Sequence, residues 1–324
     1  MSRKAKIIGI GSYLPEKTVS NDDLSKILDT SDEWITSRSG IKQRHQAGEG
    51  ETTSDLAVHA ARQALADAAV STDDIDMIIV ATTTPDLTFP ATAALVQKKL
   101  GISHGAAFDV QAVCSGFVYG LSVASAMVET GQAKRVLFIG AETMTRLLDW
   151  DDRATAVLFG DGGGAVVIEA TDIDTPNAPH IIGSYLRSDG NLTDLLYVDG
   201  GPSTTGTTGK LRMQGPEVYR HAVGNIADAI NSLLAAHDLK VDDIDWFVPH
   251  QANKRIIDGV AKRISLPAEK TVITVQNHAN TSAASIPLAL HDLVKSGRVK
   301  SGDLIMLEAM GGGLTWGANL VRWV

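Results

Sequence analysis

Residues 73–83 read DDIDMIIVATT, and 169 residues later the chain writes almost the same phrase again, DDIDWFVPHQA at 242–252. Each copy is an acidic turn followed by an apolar run of strand length, and three further segments repeat in the same order. KIIGIGSYLP (6–15) returns as HIIGSYLRSD (180–189), ETGQAK (129–134) as KSGRVK (295–300), and VLFIGAE (136–142) as IMLEAMG (305–311). Four ordered echoes mark an internal duplication. The expectation is two homologous halves, 1–172 and 173–324.

The grammar of one half fixes the fold class. Thr53 or Ser54 can cap a helix whose apolar residues Leu56, Ala60, Ala61, Ala64, Leu65 and Ala68 share a face. The strand MIIVATT follows, then a helix over about 91–100, a strand in AAFDVQAV, and a long apolar helix from Ser115 to near Gly131. The strands RVLFIGAE and GGAVVIEA complete the unit. Strands that are apolar throughout, separated by helices, are buried on both faces. Two such units predict an α/β protein of five layers, α-β-α-β-α, with the two sheets related by a pseudo-twofold axis. VDGGPSTTGTTGK (198–210) reads as a surface loop.

Composition narrows the function. The 324 residues are 44% hydrophobic and 21% charged with a net charge of −9, which suits a globular chain and opposes a nucleic-acid binder. No run reaches the roughly 18 apolar residues of a membrane span, and Pro15 interrupts the N-terminal apolar stretch before an export signal forms, so a cytoplasmic protein is expected. GDGGGA (160–165) fits a dinucleotide-binding pattern, but a strand follows it where the pyrophosphate would need a helix N-terminus. Phosphate-loop, Gly-x-Ser-x-Gly and His-Glu-x-x-His signatures are lacking. A single cysteine builds neither an internal disulfide nor a multi-cysteine metal site.

That cysteine, Cys114, sits in DVQAVCSGFVYGL (109–121), where a strand hands over to a helix. A lone cysteine is ordinarily a small buried hydrophobe. Here the helix dipole would favour a thiolate by about 0.3–1 kcal/mol, less than one pKa unit, so activation needs a second group. Shifting Cys114 by the 166-residue offset of the nearby helix end lands on Asn280 in NHANTSAAS. His250 ends the second DDID strand, where sheet ends commonly hold sites.

DVQAVCSGF, VPHQANKRI, NTSAAS and GGGLTWGA together resemble the signatures of β-ketoacyl-acyl carrier protein synthase III, an initiating condensing enzyme of thiolase-like fold, and the resemblance runs from GIGSYLP to the final WGANLVRWV. It implies that Cys114 takes an acyl group from acyl-CoA. Malonyl-acyl carrier protein is then decarboxylated beside His250 and Asn280, and the acyl oxygen is held by the N–H groups of Cys114 and Gly312. It further implies Trp34 and Arg153 around the CoA adenine with Arg38 near phosphate, Gly215 and Asn253 along the pantetheine, and Phe89, Phe159 and Met310 at the acyl pocket. Phe89 is the residue one subunit would insert into its partner, so a homodimer is expected. Gln251, Lys254 and Arg255 are expected to meet the carrier protein, with Lys262 and Arg263 extending a basic helix face. CoA thioesters are substrates here, and neither cofactor nor metal is expected. Met310 stands where many members have Phe, Ala279 where Gly is frequent, and Pro216 in a segment usually written differently, so the starter acyl group stays open. Two other readings remain: a relative of specialised metabolism with another starter or acceptor, and an inactive carrier-binding module.

Overall fold

The computed structural model describes residues 2–173, 175 and 177–324. In it the two DDID phrases do the same work. Each opens with a 3-10 turn, Thr72–Asp74 or Val241–Asp243, and each ends on an aspartate that stitches two strands together. Asp76 accepts the N–H groups of Lys134 and Arg135 at 2.8 Å, and its own N–H donates to Arg135 O at 3.1 Å. Asp245 accepts the Leu304 N–H at 2.8 Å and donates to Leu304 O at 2.9 Å. The echo in the sequence is therefore a conserved piece of hydrogen bonding between parallel neighbours.

Strands β1 (Ser2–Tyr13), β2 (Met77–Ala81), β3 (Ala106–Val110), β4 (Arg135–Thr143) and β5 (Asp161–Ile173) form a five-stranded sheet in the order β1-β5-β4-β2-β3. Strands β6 (His180–Ser188), β7 (Trp246–Pro249), β8 (Leu304–Gly311) and β9 (Thr315–Arg322) form a four-stranded sheet in the order β6-β9-β8-β7. Order and direction match position by position, and Thr271 makes a single parallel bridge to Phe247 where the fifth strand would lie. Even an irregularity is copied. The register skips Ile8 between Ile7 and Gly9, and skips Ile182 between Ile181 and Gly183.

Helices α1 (Asp32–Ser39), α2 (Thr53–Ala68), α3 (Thr92–Leu100), α4 (Gly116–Glu129), α5 (Gly215–Ala236), α6 (Lys254–Arg263) and α7 (Ser285–Lys295) complete the main framework. α2 and α3 cover the outer face of the first sheet, α5 and α6 that of the second, and α4 and α7 lie between the sheets. The five layers are those the sequence predicts. At the centre Phe117 of α4 stacks on Phe138 of β4 with ring centroids 4.8 Å apart, each ring contributing about 1.5–3 kcal/mol by burial. Gly120 makes room for it: a Cβ there would come within 2.4 Å of the Phe138 ring. No helix among the described residues is long and apolar enough to cross a membrane.

One boundary differs from the sequence reading. The cap of α2 is Thr52, whose hydroxyl and N–H bond Asp55 at 2.7 and 2.9 Å. Thr53 turns inward to bond Thr84 O at 2.6 Å, and Ser54 bonds Asp86, so both expected caps have other partners.

Candidate active site

Cys114 is the middle residue of a 3-10 turn, Val113–Ser115, that feeds directly into α4. The turn is strained: Val113 has φ +49°, a left-handed conformation that a β-branched residue rarely adopts. The second half repeats the device. Ser282–Ala284 feeds into α7, and Ser282 also has φ +49°. Cys114 is thus matched by Ala283, and the 166-residue offset that points to Asn280 holds only at the far helix ends, because α4 has 14 residues and α7 has 11.

Asn280 reaches the site by another route. Its N–H donates to Leu158 O at 2.9 Å and its carbonyl accepts from Gly160 at 3.0 Å, which splices it to a segment of the first half. Oδ1 accepts the Ser282 N–H at 2.9 Å, leaving Nδ2 free to donate. His250 follows β7, and its N–H donates to Glu308 O on β8 at 2.8 Å. Nδ1 lies 2.6 Å from the Ser285 hydroxyl. That hydroxyl already accepts the Gln251 N–H and has no other acceptor among the described residues, so it donates to Nδ1 and the ring proton sits on Nε2. Burial holds the imidazole down at about 3, so His250 is a neutral N–H donor at pH 7.

Cys114, His250 and Asn280 line one cavity of about 490 Å³, together with Phe159 and Met310. Burial pushes the Cys114 thiol up to about 12, against the opposing Ser282 hydrogen bond and with the Glu142 charge adding to the rise. The helix N-terminus alone therefore does not produce a resting thiolate. Gly311 packs its backbone onto Cys114: a Cβ there would lie 2.7 Å from Cys114 N, and one on Gly312 would lie 2.7 Å from Leu196 O. Two buried carboxyls complete the surroundings. Glu308 lines the cavity and is pushed up to about 8 by burial; Glu142 accepts the Ser282 hydroxyl and is pushed up to about 7.

Trp34, Arg38, Gly215, Asn253 and Arg255 also line the cavity, with Arg38 and Arg255 exposed. The Arg38 and Arg153 guanidinium carbons lie 4.6 and 5.3 Å from the Trp34 ring centroid. An aromatic base between Trp34 and Arg153 needs about 7 Å, twice a van der Waals contact. Arg153, bonded to Asp29, would have to swing out to admit it. Asn253 caps α6 through Oδ1 to Arg255 N at 2.8 Å. Gln251, expected at the carrier surface, is fully buried. It donates to Pro249 O and Val272 O and accepts from Thr274 and Val275, so it braces the loop that carries His250. Lys254 is exposed and paired with Asp258. Phe89 lies outside the cavity of its own chain and is 82% exposed.

Sequence reasoning passed over Ser282, Ser285, Glu142 and Glu308. Two of them lie in the quoted NTSAAS, and Glu142 and Glu308 are lone carboxylates in the apolar runs VLFIGAE and IMLEAMG, a pattern that signals a buried ionisable group.

The family described as 3-Oxoacyl-[acyl-carrier-protein (ACP)] synthase III matches residues 108–190, and the one described as its C terminal matches residues 234–323. A beta-ketoacyl-[acyl-carrier-protein] synthase III of Hyphomonas neptunium is 59% identical over 99% of this chain and 100% of its own. One from Paramagnetospirillum magneticum is 60% identical over 98% and 99%. The crystal structure of the 3-oxoacyl-[acyl-carrier-protein] synthase III of Aquifex aeolicus VF5 superposes with TM-score 0.93 at 46% identity, covering 98% of this chain and 100% of that one.

Proposed function

Because the chain belongs to the β-ketoacyl-[acyl-carrier-protein] synthase III family, and so is an acyltransferase that performs the initiating condensation of fatty-acid synthesis, we propose that Cys114 carries the acyl group and that His250 and Asn280 serve decarboxylation. The substrates are acyl-CoA and malonyl-acyl carrier protein. The observation that carries the assignment is the convergence of Cys114, His250 and Asn280 on one cavity, with His250 neutral and presenting Nε2–H.

The thiol attacks the acyl-CoA thioester and CoA departs with the electron pair of the broken C–S bond. The acyl oxygen is held by the N–H groups of Cys114 and Gly312, a type of donor commonly worth about 3–4 kcal/mol in the transition state. The malonyl thioester then replaces CoA. As carbon dioxide leaves, the electron pair of its bond moves toward the thioester oxygen, where His250 Nε2–H and Asn280 Nδ2–H stabilise the enolate. A neutral donor suits this step because it needs no proton from solvent at pH 7. The enolate carbon attacks the acyl carbon and expels Cys114 as thiolate. Residues 1–172 thus supply the nucleophile, and residues 173–324 supply His250, Asn280 and the glycine turn.

Chemistry carried by thioesters calls for no cofactor or metal. Phe89, exposed on its own chain, completes the acyl pocket of a second copy in a homodimer, and the enzyme works in the cytoplasm. A specialised-pathway enzyme and an inactive module are not favoured, since the identity to initiating synthases extends along the whole chain.

Intact-mass measurement after incubation with acetyl-CoA tests the assignment. The wild type and His250→Ala gain one acetyl group, and Cys114→Ser gains none. Release of labelled carbon dioxide from carboxyl-labelled malonyl-acyl carrier protein is lost in His250→Ala. An acetyl adduct on Cys114→Ser, or undiminished release from His250→Ala, defeats it.

A further inference from the structure

Ser282 and Glu142 form the wall behind the nucleophile. Glu142 is wholly buried near the end of β4. Its Oε2 accepts four hydrogen bonds: from the Thr82 hydroxyl at 3.1 Å, Thr83 N at 3.0 Å, Thr84 N at 3.1 Å and the Thr84 hydroxyl at 2.7 Å. Its Oε1 accepts the Ser282 hydroxyl at 3.0 Å. The turns at 113–115 and 282–284 pack on each other, which sets Ser282 beside Cys114. Ser282 thus stands next to the nucleophile while its hydroxyl bonds a carboxyl group.

The acylation chemistry has a proton to place. When Cys114 is acylated its S–H proton must go to a base. His250 is a poor one, since burial disfavours its charged form and Nδ1 is engaged by Ser285. Glu142 balances near neutrality, its five donors opposing the desolvation that pushes it up to about 7. The titratable group that faces it is the Cys114 thiol. Asp161 on β5 is engaged by Thr145 and Ala47, and Asp86 by Ser54. Among the described residues no lysine or arginine bonds Glu142, so it is not locked in an ion pair.

Resting on the assignment of Cys114 as nucleophile, we propose that Cys114, Ser282 and Glu142 are a proton relay in which Glu142 is the base for acylation. As Sγ bonds to the acyl carbon, its proton passes to Ser282 Oγ while the Ser282 proton passes to Glu142 Oε1. CoA leaves as a thiolate with the electron pair of the broken C–S bond and takes its proton from solvent. When condensation expels Cys114 with the pair of its own C–S bond, the relay runs backward and Glu142 returns the proton through Ser282. Until CoA departs the cluster holds one negative charge throughout. Afterwards Glu142 is neutral, so no buried carboxylate repels the malonyl group as its own charge enters the cavity.

The test is the single-turnover acylation rate of Cys114 with acetyl-CoA, read by rapid quench and intact mass between about pH 5.5 and 9, a range that spans the carboxyl titration. In the wild type the rate rises with pH through an inflection near 7 and levels off as Glu142 ionises. Glu142→Gln loses that inflection, acylates about 100-fold more slowly near neutral pH, and gains on the wild type as alkali ionises the thiol directly. Ser282→Ala, which leaves all four bonds to Oε2 and cuts only the link, behaves the same way and covers the case in which Glu142→Gln fails to fold. A wild-type profile in Ser282→Ala or in folded Glu142→Gln overturns the relay. A wild type that takes up no acyl group overturns instead the nucleophile assignment beneath it.

Discussion

Glu308 has no hydrogen-bond partner on Oε2 among the described residues, and burial pushes its carboxyl up to about 8, so the folded protein keeps it protonated at pH 7. In the unfolded chain the same group ionises near 4.5. Between about 4.5 and 8 the native state therefore binds the extra proton, and stability falls as pH rises through that window. Glu142 acts in the same direction up to about 7. His250 and His278 act in the opposite sense, because burial depresses both and the unfolded imidazoles take up protons first, so stability also falls on acidification below about 6.5. Glu308→Gln keeps the shape and removes the ionisation. Its melting temperature should decline less than the wild type's between pH 5 and 8, and identical slopes in calorimetry would refute the buried-carboxyl account.

At the level of elements, Cys114 is positioned by three pieces of backbone: the strained turn at Val113, the N-terminus of α4 and the glycines that end and follow β8. Gly311 is the tightest of these contacts, so Gly311→Ala must push the turn away from Cys114 N. Displacing one oxyanion donor costs about 10²–10³ in rate, and Gly311→Ala should acylate slower by that order while remaining folded. Stopped-flow acylation at wild-type speed would show that the turn does not position the donor. The layers were legible in advance because strands buried on both faces write themselves as apolar runs, and because the DDID aspartates must recur wherever the same strand pair is stitched. The places of Cys114 and His250 just past strand ends were legible too. The pairing of Cys114 with Asn280 by a constant offset was not, since sequence spacing does not reveal that α7 is shorter than α4. The contacts of Ser282, Ser285 and Glu142 were hidden for a related reason: each joins segments far apart in the chain. Gln251 shows the converse, a polar residue that reads as surface and is buried because its amide satisfies four backbone groups.

Across the whole molecule the charge is −9, yet α6 exposes Lys254, Arg255, Lys262 and Arg263, and Arg255 lines the cavity. An acidic carrier protein would be steered to this face and repelled elsewhere. Lys254→Glu should raise KM for malonyl-acyl carrier protein about twofold to fivefold at low salt, the range of an exposed ion pair, and the gap should close as salt is added. Acylation by small acyl-CoA should be untouched; an equal effect on both substrates would place Lys254 on the CoA path instead. The unequal lengths of α4 and α7 carry a last consequence. The two copies agree residue for residue from the turns at Val113 and Ser282, and they part company only toward Glu129 and Lys295. Each helix behaves as a ruler read from its N-terminal end, with about 4.5 Å of drift stored at the other. Insertions and deletions have a place to accumulate there, in the loops before β4 and β8, and none between the turn and the first helical residue.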